Sequence, residues 1–320
     1  MSGCQTPLAT MLPVSIASLI EHETLPFDIY VLSPHQSNPT LFRGRNYPIS
    51  REDLTKLRSR GTLNLYVCAS DQEAYRSYLR EQVLANEALP PAQRLKAISD
   101  ASKEVYLHAL ATRCPDVAVE ATNSIADDLV RVIWHSPQLL GELLDVMTHD
   151  YSTYHHACNV SVYAMLLAME YFRADQATTV RIAQGALLHD IGKKHISASL
   201  LNKVGTLDPA EMDELKLHPQ AGFEFLCNCP GLQAGQLMMV MQHHERCDGE
   251  GYPMALFGSE IHPWALLCAV VDVFDALVSH RAYRGGYRVS DALEYLDLQG
   301  GRGFDEDLVR CFASIANRKS

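Results

Sequence analysis

The sequence predicts an α+β protein whose C-terminal half is an all-α helical bundle. From about residue 150 onward, apolar segments with helical spacing follow one another between short glycine or proline breaks, without strand-like alternation. Earlier in the chain, short β-rich runs alternate with turn residues. We therefore predict a small α+β module with a regulatory role at residues 1–90, a helical linker at 91–148 and an all-α domain at 149–320.

The N-terminal module contains two strand candidates, at residues 27–32 and 63–67. Between them, residues 50–60 have a helical pattern, with Ser50 as a candidate N-cap and Asp53 at the position that completes a capping box. No group of catalytic residue types is present in this module, so its role cannot be inferred from the sequence.

Two further stretches of the module are less regular. Residues 33–45 are polar and contain two prolines, which is typical of a loop or hairpin. Residues 8–20 are apolar but are interrupted by Pro13 and lack a basic leader, which indicates folded structure and not a signal peptide.

The linker and the C-terminal half are predicted to be helical throughout. Good helix formers in the linker indicate helices that could either transmit a signal or serve as a passive spacer. The predicted helices lie at residues 92–112, 117–133, 137–147, 160–172, 177–189, 209–226, 232–244, 263–279, 290–298 and 306–315.

Composition excludes several classes of protein. The net charge of −11 argues against broad binding to a DNA or RNA polymer, because no basic excess is available to neutralise phosphates. Nine scattered cysteines indicate reduced thiols, so we expect a cytoplasmic protein. No run of 18 apolar residues occurs, and we expect no membrane span.

Histidines and carboxylates cluster in the C-terminal half at places where metal ligation would explain them. An apolar helix leads into His189-Asp190, with Gly192 as its expected end. His243 and His244 are adjacent imidazoles that would be costly to bury without partners, and Asp272 lies inside an apolar helix. Each has an alternative, namely a solvated helix end, a surface location, and a cap or salt bridge.

Other candidates are weaker alone. His218 precedes Pro219 in a polar helix, and either His155 or His156 could point inward from the first bundle helix. Residues 248–253 contain two glycines that let the backbone approach a ligand, and Tyr252 adds a ring and a hydroxyl, although a plain tight turn would look the same.

Two arginines complete the set of candidates. Arg281 and Arg284, three residues apart, could clamp a phosphate or could form an ordinary basic helix end.

In their order along the chain, these motifs resemble the HD-GYP family of bacterial phosphodiesterases, a branch of the HD-domain metal hydrolases. The resemblance covers about half of the chain, from Tyr154 to Phe312. Its motifs are His156, His189-Asp190-Ile191-Gly192-Lys193, Lys216-Leu217-His218-Pro219, His243-His244-Glu245, Asp248-Gly249-Glu250-Gly251-Tyr252-Pro253, Asp272-Val273-Phe274-Asp275-Ala276-Leu277, Arg281-Ala282-Tyr283-Arg284 and Gly303-Phe304-Asp305.

The resemblance implies an HD-type bundle with two divalent metal ions, of which iron or manganese is the family's habit. It places Ser152 where some members have the glutamate that binds a third ion, so we predict two ions. The implied ligands are His156, His189, Asp190 and Asp272 for one ion, and Asp190, His218, His243 and His244 for the other, with Asp190 bridging.

The resemblance also implies roles for other matching residues. Lys193 would orient or protonate the reacting groups beside Asp190. Gly251, Tyr252 and Pro253 would shape the substrate pocket, and Arg281 and Arg284 would hold the phosphates.

The implied activity is hydrolysis of cyclic di-GMP to pGpG, with further cleavage to GMP left open, by a metal-activated hydroxide. Two alternatives remain at this stage. The domain could be a weak or inactive sensor of cyclic dinucleotides, or an HD-type hydrolase acting on mononucleotides or a guanosine alarmone. The N-terminal module could mediate a homodimer or bind a signalling partner.

Overall fold

The structure, a computed structural model, describes residues 11–21, 23–32, 39–59, 64–134, 153–203, 205–279 and 285–318. The chain divides into two compact units, residues 1–104 and 105–320. The domain boundaries at residues 90 and 148 stay predictions, and the helix predicted at 137–147 lies outside the described residues.

Unit 1 contains a four-stranded antiparallel sheet with the strand order β1-β4-β2-β3. This confirms the small α+β module. Of the loop or hairpin predicted at residues 33–45, residues 33–38 lie outside the described residues, and β3 in the remainder pairs with β2. The apolar stretch at 8–20 contains β1, which was not predicted as a strand. The described strands and helices are β1 Met11–Ser15, β2 Ile29–Val31, β3 Thr40–Arg43, α1 Arg51–Ser59, β4 Asn64–Cys68 and α2 Gln72–Tyr78.

Local chemistry explains how unit 1 forms. The Asp53 carboxylate accepts from the Ser50 backbone N–H at 3.0 Å, and the Asp53 N–H donates to Ser50 Oγ at 3.1 Å, so the predicted capping box starts α1. Phe27 is fully buried, and its ring makes edge contacts at 5.4 Å with Tyr75 and with Tyr78. These rings belong to the apolar core of unit 1.

The described part of unit 2 is helical, which confirms the predicted bundle. Its first helix, α3, begins before the unit boundary. None of the described helices combines the length and the apolar composition needed to cross a bilayer. The helices are α3 Pro91–Ala111, α4 Pro115–Ile133, α5 Thr153–Tyr171, α6 Gln176–Leu188, α7 Ala198–Leu201, α8 Pro209–Leu215, α9 His218–Leu226, α10 Ala234–Gln242, α11 Pro263–Val278, α12 Val289–Gln299 and α13 Glu306–Ala316.

The helix predicted at residues 209–226 is divided in two. Pro219 lacks an N–H and is favoured in the first turn of a helix, so a new helix starts there and α8 stops at Leu215. The break places His218 at the first position of α9, where its ring is buried.

Gly192 has a different role from the one expected. It does not end the preceding helix, because α6 already ends at Leu188. It lies in a short 3-10 turn packed against the start of α9, and a Cβ atom on it would lie 1.9 Å from the backbone oxygen of His218. The glycine therefore permits a close approach between two segments that carry candidate ligands.

We predict that Gly192→Ala lowers the free energy of unfolding by about 1–3 kcal/mol, because the methyl group would overlap backbone atoms that cannot rotate away. Chemical denaturation of the full chain measures this. Gly285→Ala is the matched control, since no atom lies within 4 Å of the Cβ it would add. Equal stability of the two variants would contradict the close packing.

Candidate metal centre

Five helices bring the predicted ligands together, four of them at or near a helix end and the fifth from its middle. His156 lies in the first turn of α5, His189 and Asp190 directly follow α6, and His218 begins α9. His243 and His244 directly follow α10, and Asp272 lies in the middle of α11. All of these side chains are buried except that of His244, which is half-buried; they are His156, His189, Asp190, His218, His243, His244 and Asp272.

One set of donor atoms surrounds Oδ2 of Asp190. His189 Nε2 lies 3.3 Å from this oxygen, and His156 Nε2 lies 3.8 Å from it. The same two nitrogens lie 3.8 and 3.0 Å from Oδ1 of Asp272. Ligands of one cation at bond lengths of 2.0–2.2 Å are separated by roughly 3.0–3.5 Å. The spacing therefore fits a shared cation.

A second set surrounds the other oxygen of Asp190. His218 Nε2 lies 3.4 Å from Oδ1, and His243 Nε2 lies 3.8 Å from it. His244 contributes a third nitrogen within 4.8 Å of the donor atoms of His218 and His243. The two oxygens of one carboxylate thus face two different groups of imidazoles.

Hydrogen bonds at Nδ1 fix which nitrogen of each ring faces the site. His189 Nδ1 lies 2.6 Å from the Ala186 carbonyl, His218 Nδ1 lies 2.8 Å from the Leu215 carbonyl, and His243 Nδ1 lies 3.0 Å from the Val240 carbonyl. Carbonyls only accept hydrogen bonds, so Nδ1 carries the proton in each ring. For a neutral ring this leaves the Nε2 lone pair directed into the site.

Two features then call for a cation. His218 Nε2 and His243 Nε2 lie 3.2 Å apart, and two lone pairs at that distance repel unless a positive charge lies beside them. In addition, the buried atoms His189 Nε2 and Asp190 Oδ1 have no hydrogen-bond partner among the described residues. An unsatisfied buried polar atom costs about 1–3 kcal/mol. The residues present therefore fit a bound divalent metal.

Burial sets the protonation state of the imidazoles. It lowers the pKa of His243 well below its usual value, and it lowers the pKa of His244 to about 3. The pKa of His218 is lowered by the same cause. These rings are neutral near pH 7, which is the form that binds metal ions.

The two carboxylates are ionised. Burial alone would raise the pKa of Asp190, but the neighbouring Lys193 ammonium holds it well below its usual value. Burial likewise would raise the pKa of Asp272, and the contact with the His156 ring lowers it instead. The site therefore offers anionic oxygens and neutral nitrogens, a donor set that suits first-row transition metals.

Lys193 lies where the sequence prediction expected it. Its Nζ donates to Oδ2 of Asp190 at 2.5 Å, and its side chain is about one quarter exposed. The ammonium thus supplies positive charge to the carboxylate. Lys194 is directed elsewhere, donating to the Thr112 carbonyl at 2.8 Å.

The glycine-rich loop folds back over the paired histidines. The ring of Tyr252 stacks on His244 with centroids 4.7 Å apart. A Cβ on Gly251 would lie 2.4 Å from the Arg246 nitrogen, so only glycine allows this path. Pro253 follows Tyr252 through a cis peptide bond. Tyr252, with its neighbours Gly251 and Pro253 of the predicted pocket, therefore lies beside the candidate ligand His244.

Glu245 holds this loop and was missed as a site residue. Its buried carboxylate accepts from the backbone N–H groups of Met254 at 2.6 Å and Leu256 at 3.0 Å. It directly follows the two histidines, so its position in the motif was the available signal.

Asp275 and Asn159 were also missed as parts of the site. Asp275 is fully buried and accepts from His156 Nδ1 at 2.8 Å, Asn159 Nδ2 at 2.8 Å and Ser279 Oγ at 3.2 Å. It orients the His156 ring and is not directed at the donor cluster. Its position one turn after Asp272 was the only hint in the sequence. Arg281 and Arg284 lie outside the described residues.

Comparisons with known proteins agree with this geometry. A family model described as HD domain matches residues 149–308. The chain is 33% identical over 190 residues to "Cyclic di-GMP phosphodiesterase PA4108" of Pseudomonas aeruginosa, covering 59% of this chain and 45% of that protein. It is 45% identical over 130 residues to "Cyclic di-GMP phosphodiesterase response regulator RpfG" of Xanthomonas campestris, covering 40% of this chain and 34% of that protein. The chain spans less than half the length of both relatives.

A solved structure shares the fold. The protein described as "Bd1817, a HDG"Y"P protein from Bdellovibrio bacteriovorus" aligns with a TM-score of 0.70 over 95% of this chain and 99% of that chain. At 20% sequence identity, this likeness shows the fold alone.

We predict that Asp190→Asn weakens manganese binding by more than about 100-fold, so that the purified variant retains no metal. Loss of a residue that only supports a metal ligand typically weakens binding by about 10–100-fold. The amide removes the anionic charge that both imidazole groups face. Elemental analysis of protein purified under reducing conditions measures the metal. Asp213→Asn, an exposed change on α8, is the control. Full metal occupancy in Asp190→Asn would contradict the role of this carboxylate.

Proposed function

Since the chain belongs to the HD domain family, we propose that it is a metal-dependent phosphodiesterase of the HD-GYP branch that hydrolyses cyclic di-GMP to pGpG. The observation that carries this proposal is the convergence of buried imidazole nitrogens on both oxygens of the Asp190 carboxylate. The names of the relatives supply the substrate class.

The proposal includes two divalent ions, with iron or manganese favoured. His156, His189 and Asp272 would hold one ion with Asp190 Oδ2. The second would be held by His218, His243 and His244 with Asp190 Oδ1. The support is that the printed contacts of His156 and His189 are with Asp190 Oδ2, whereas those of His218 and His243 are with Oδ1.

The ions would supply Lewis acidity at the phosphate and would lower the pKa of a water molecule to near neutrality. The protein would supply the rest. Lys193 would stabilise negative charge or deliver a proton next to Asp190. The ring of Tyr252 would form a wall for the nucleotide, held by its stacking on His244. Arg281 and Arg284 are proposed to bind the phosphates, on the sequence motif alone.

The alternative is a sensor that binds the dinucleotide without turnover. Such a sensor could also contain metal, but intact candidate ligands at all seven positions of the two-metal site favour catalysis. An HD-type hydrolase of mononucleotides or alarmones is disfavoured by the loop at residues 248–253, which covers the ligands with Tyr252.

We predict that the full chain, loaded with manganese or ferrous iron under reducing conditions, converts cyclic di-GMP to pGpG, as followed by liquid chromatography. Asp190→Asn should give no product because the bridging charge is lost. Asp213→Asn should match the parent. Binding of cyclic di-GMP without product, with either metal, would reject the enzyme and support the sensor. Turnover of mononucleotides in preference to cyclic di-GMP would reject the substrate assignment.

A further inference from the structure

Tyr106 contacts α5 and α6, two of the five helices that carry the candidate metal ligands, although it lies outside the family match. It lies in the last turns of α3, whereas the match begins at residue 149. Its side chain is fully buried. Since unit 2 begins at residue 105, Tyr106 belongs to the same compact unit as the site.

The first contact is with the end of α6. The Tyr106 hydroxyl donates to the Leu187 carbonyl at 2.8 Å. The last carbonyls of a helix have no partner within it, and a buried one must find a donor elsewhere. In the same turn, His189 Nδ1–H donates to the Ala186 carbonyl. Tyr106 therefore helps to close α6 just before His189 and Asp190.

The second contact is with the start of α5. The rings of Tyr106 and Tyr154 pack with centroids 5.3 Å apart, and Tyr154 is also fully buried. Tyr154 and Leu187 each stand two residues before a candidate ligand, His156 and His189. The Tyr106 side chain thus contacts each of the two helices at the residue that lies two positions before its candidate ligand.

Neighbouring contacts attach the same upstream segment to the site. Lys194 donates to the Thr112 carbonyl at 2.8 Å. Gln184 of α6 donates through Nε2 to the Val119 carbonyl of α4 at 2.8 Å. The segment before residue 149 therefore supports the turn that carries His189 and Asp190 at several points.

We propose that Tyr106 is a positioning residue for the metal centre, fixing the end of α6 against the start of α5 so that the ligands of the two helices meet. The inference rests on the metal centre of the proposed function. It assigns to the upstream segment a part in the site itself and not only a linking role.

The test is manganese binding to the full chain after chelator treatment, measured by calorimetry. Tyr106→Phe removes only the hydroxyl and should raise the dissociation constant by roughly tenfold, the lower end of the range for partners of metal ligands. Tyr163→Phe is the matched control. Tyr163 is fully buried in the same unit, and its hydroxyl has no hydrogen-bond partner among the described residues, so its loss should not change binding.

Three outcomes would overturn the proposal. Tyr106→Phe could bind manganese as tightly as the parent, both variants could be weakened equally, or Tyr106→Phe could fail to fold, which would make Tyr106 a general core residue. Because binding is measured without turnover, a parent chain that binds manganese but cleaves no cyclic di-GMP would reject the proposed function alone.

Discussion

The structure depends on one electrostatic constraint, the burial of imidazole lone pairs around a single carboxylate. The nitrogens of His218 and His243 face one another at 3.2 Å, and neither can donate, because each ring already donates through Nδ1. Asp190 has a buried oxygen with no hydrogen-bond partner among the described residues. Such an arrangement costs free energy on folding, and a bound cation would offset that cost. Metal binding would therefore stabilise unit 2.

The fold meets this constraint by ending helices at the site. A helix end leaves backbone carbonyls without partners inside the helix. Here imidazole Nδ1–H groups donate hydrogen bonds to the carbonyls of Ala186, Leu215 and Val240. The same hydrogen bonds that complete the helices therefore aim the Nε2 atoms inward. His156 differs, because it stands within a helix and takes its orientation from the buried Asp275 carboxylate. The placement of His189, His218 and His243 is thus a consequence of helix termination.

Much of this could be predicted from the sequence. The helical half follows from local pattern, whereas the clustering of His189, Asp190 and Asp272 with the other histidines was implied by the family resemblance of the ordered motifs. The role of Asp275 could not be predicted, because its partner His156 is 119 residues away. Gly192 was assigned the wrong role, because a helix stop and a close backbone approach both require glycine.

Anomalous diffraction from crystals grown with manganese is the most direct measurement of the central claim. We expect two manganese peaks, one within bonding distance of each Asp190 oxygen, with His189 beside one and His218 beside the other. A single peak, or peaks distant from Asp190, would contradict it.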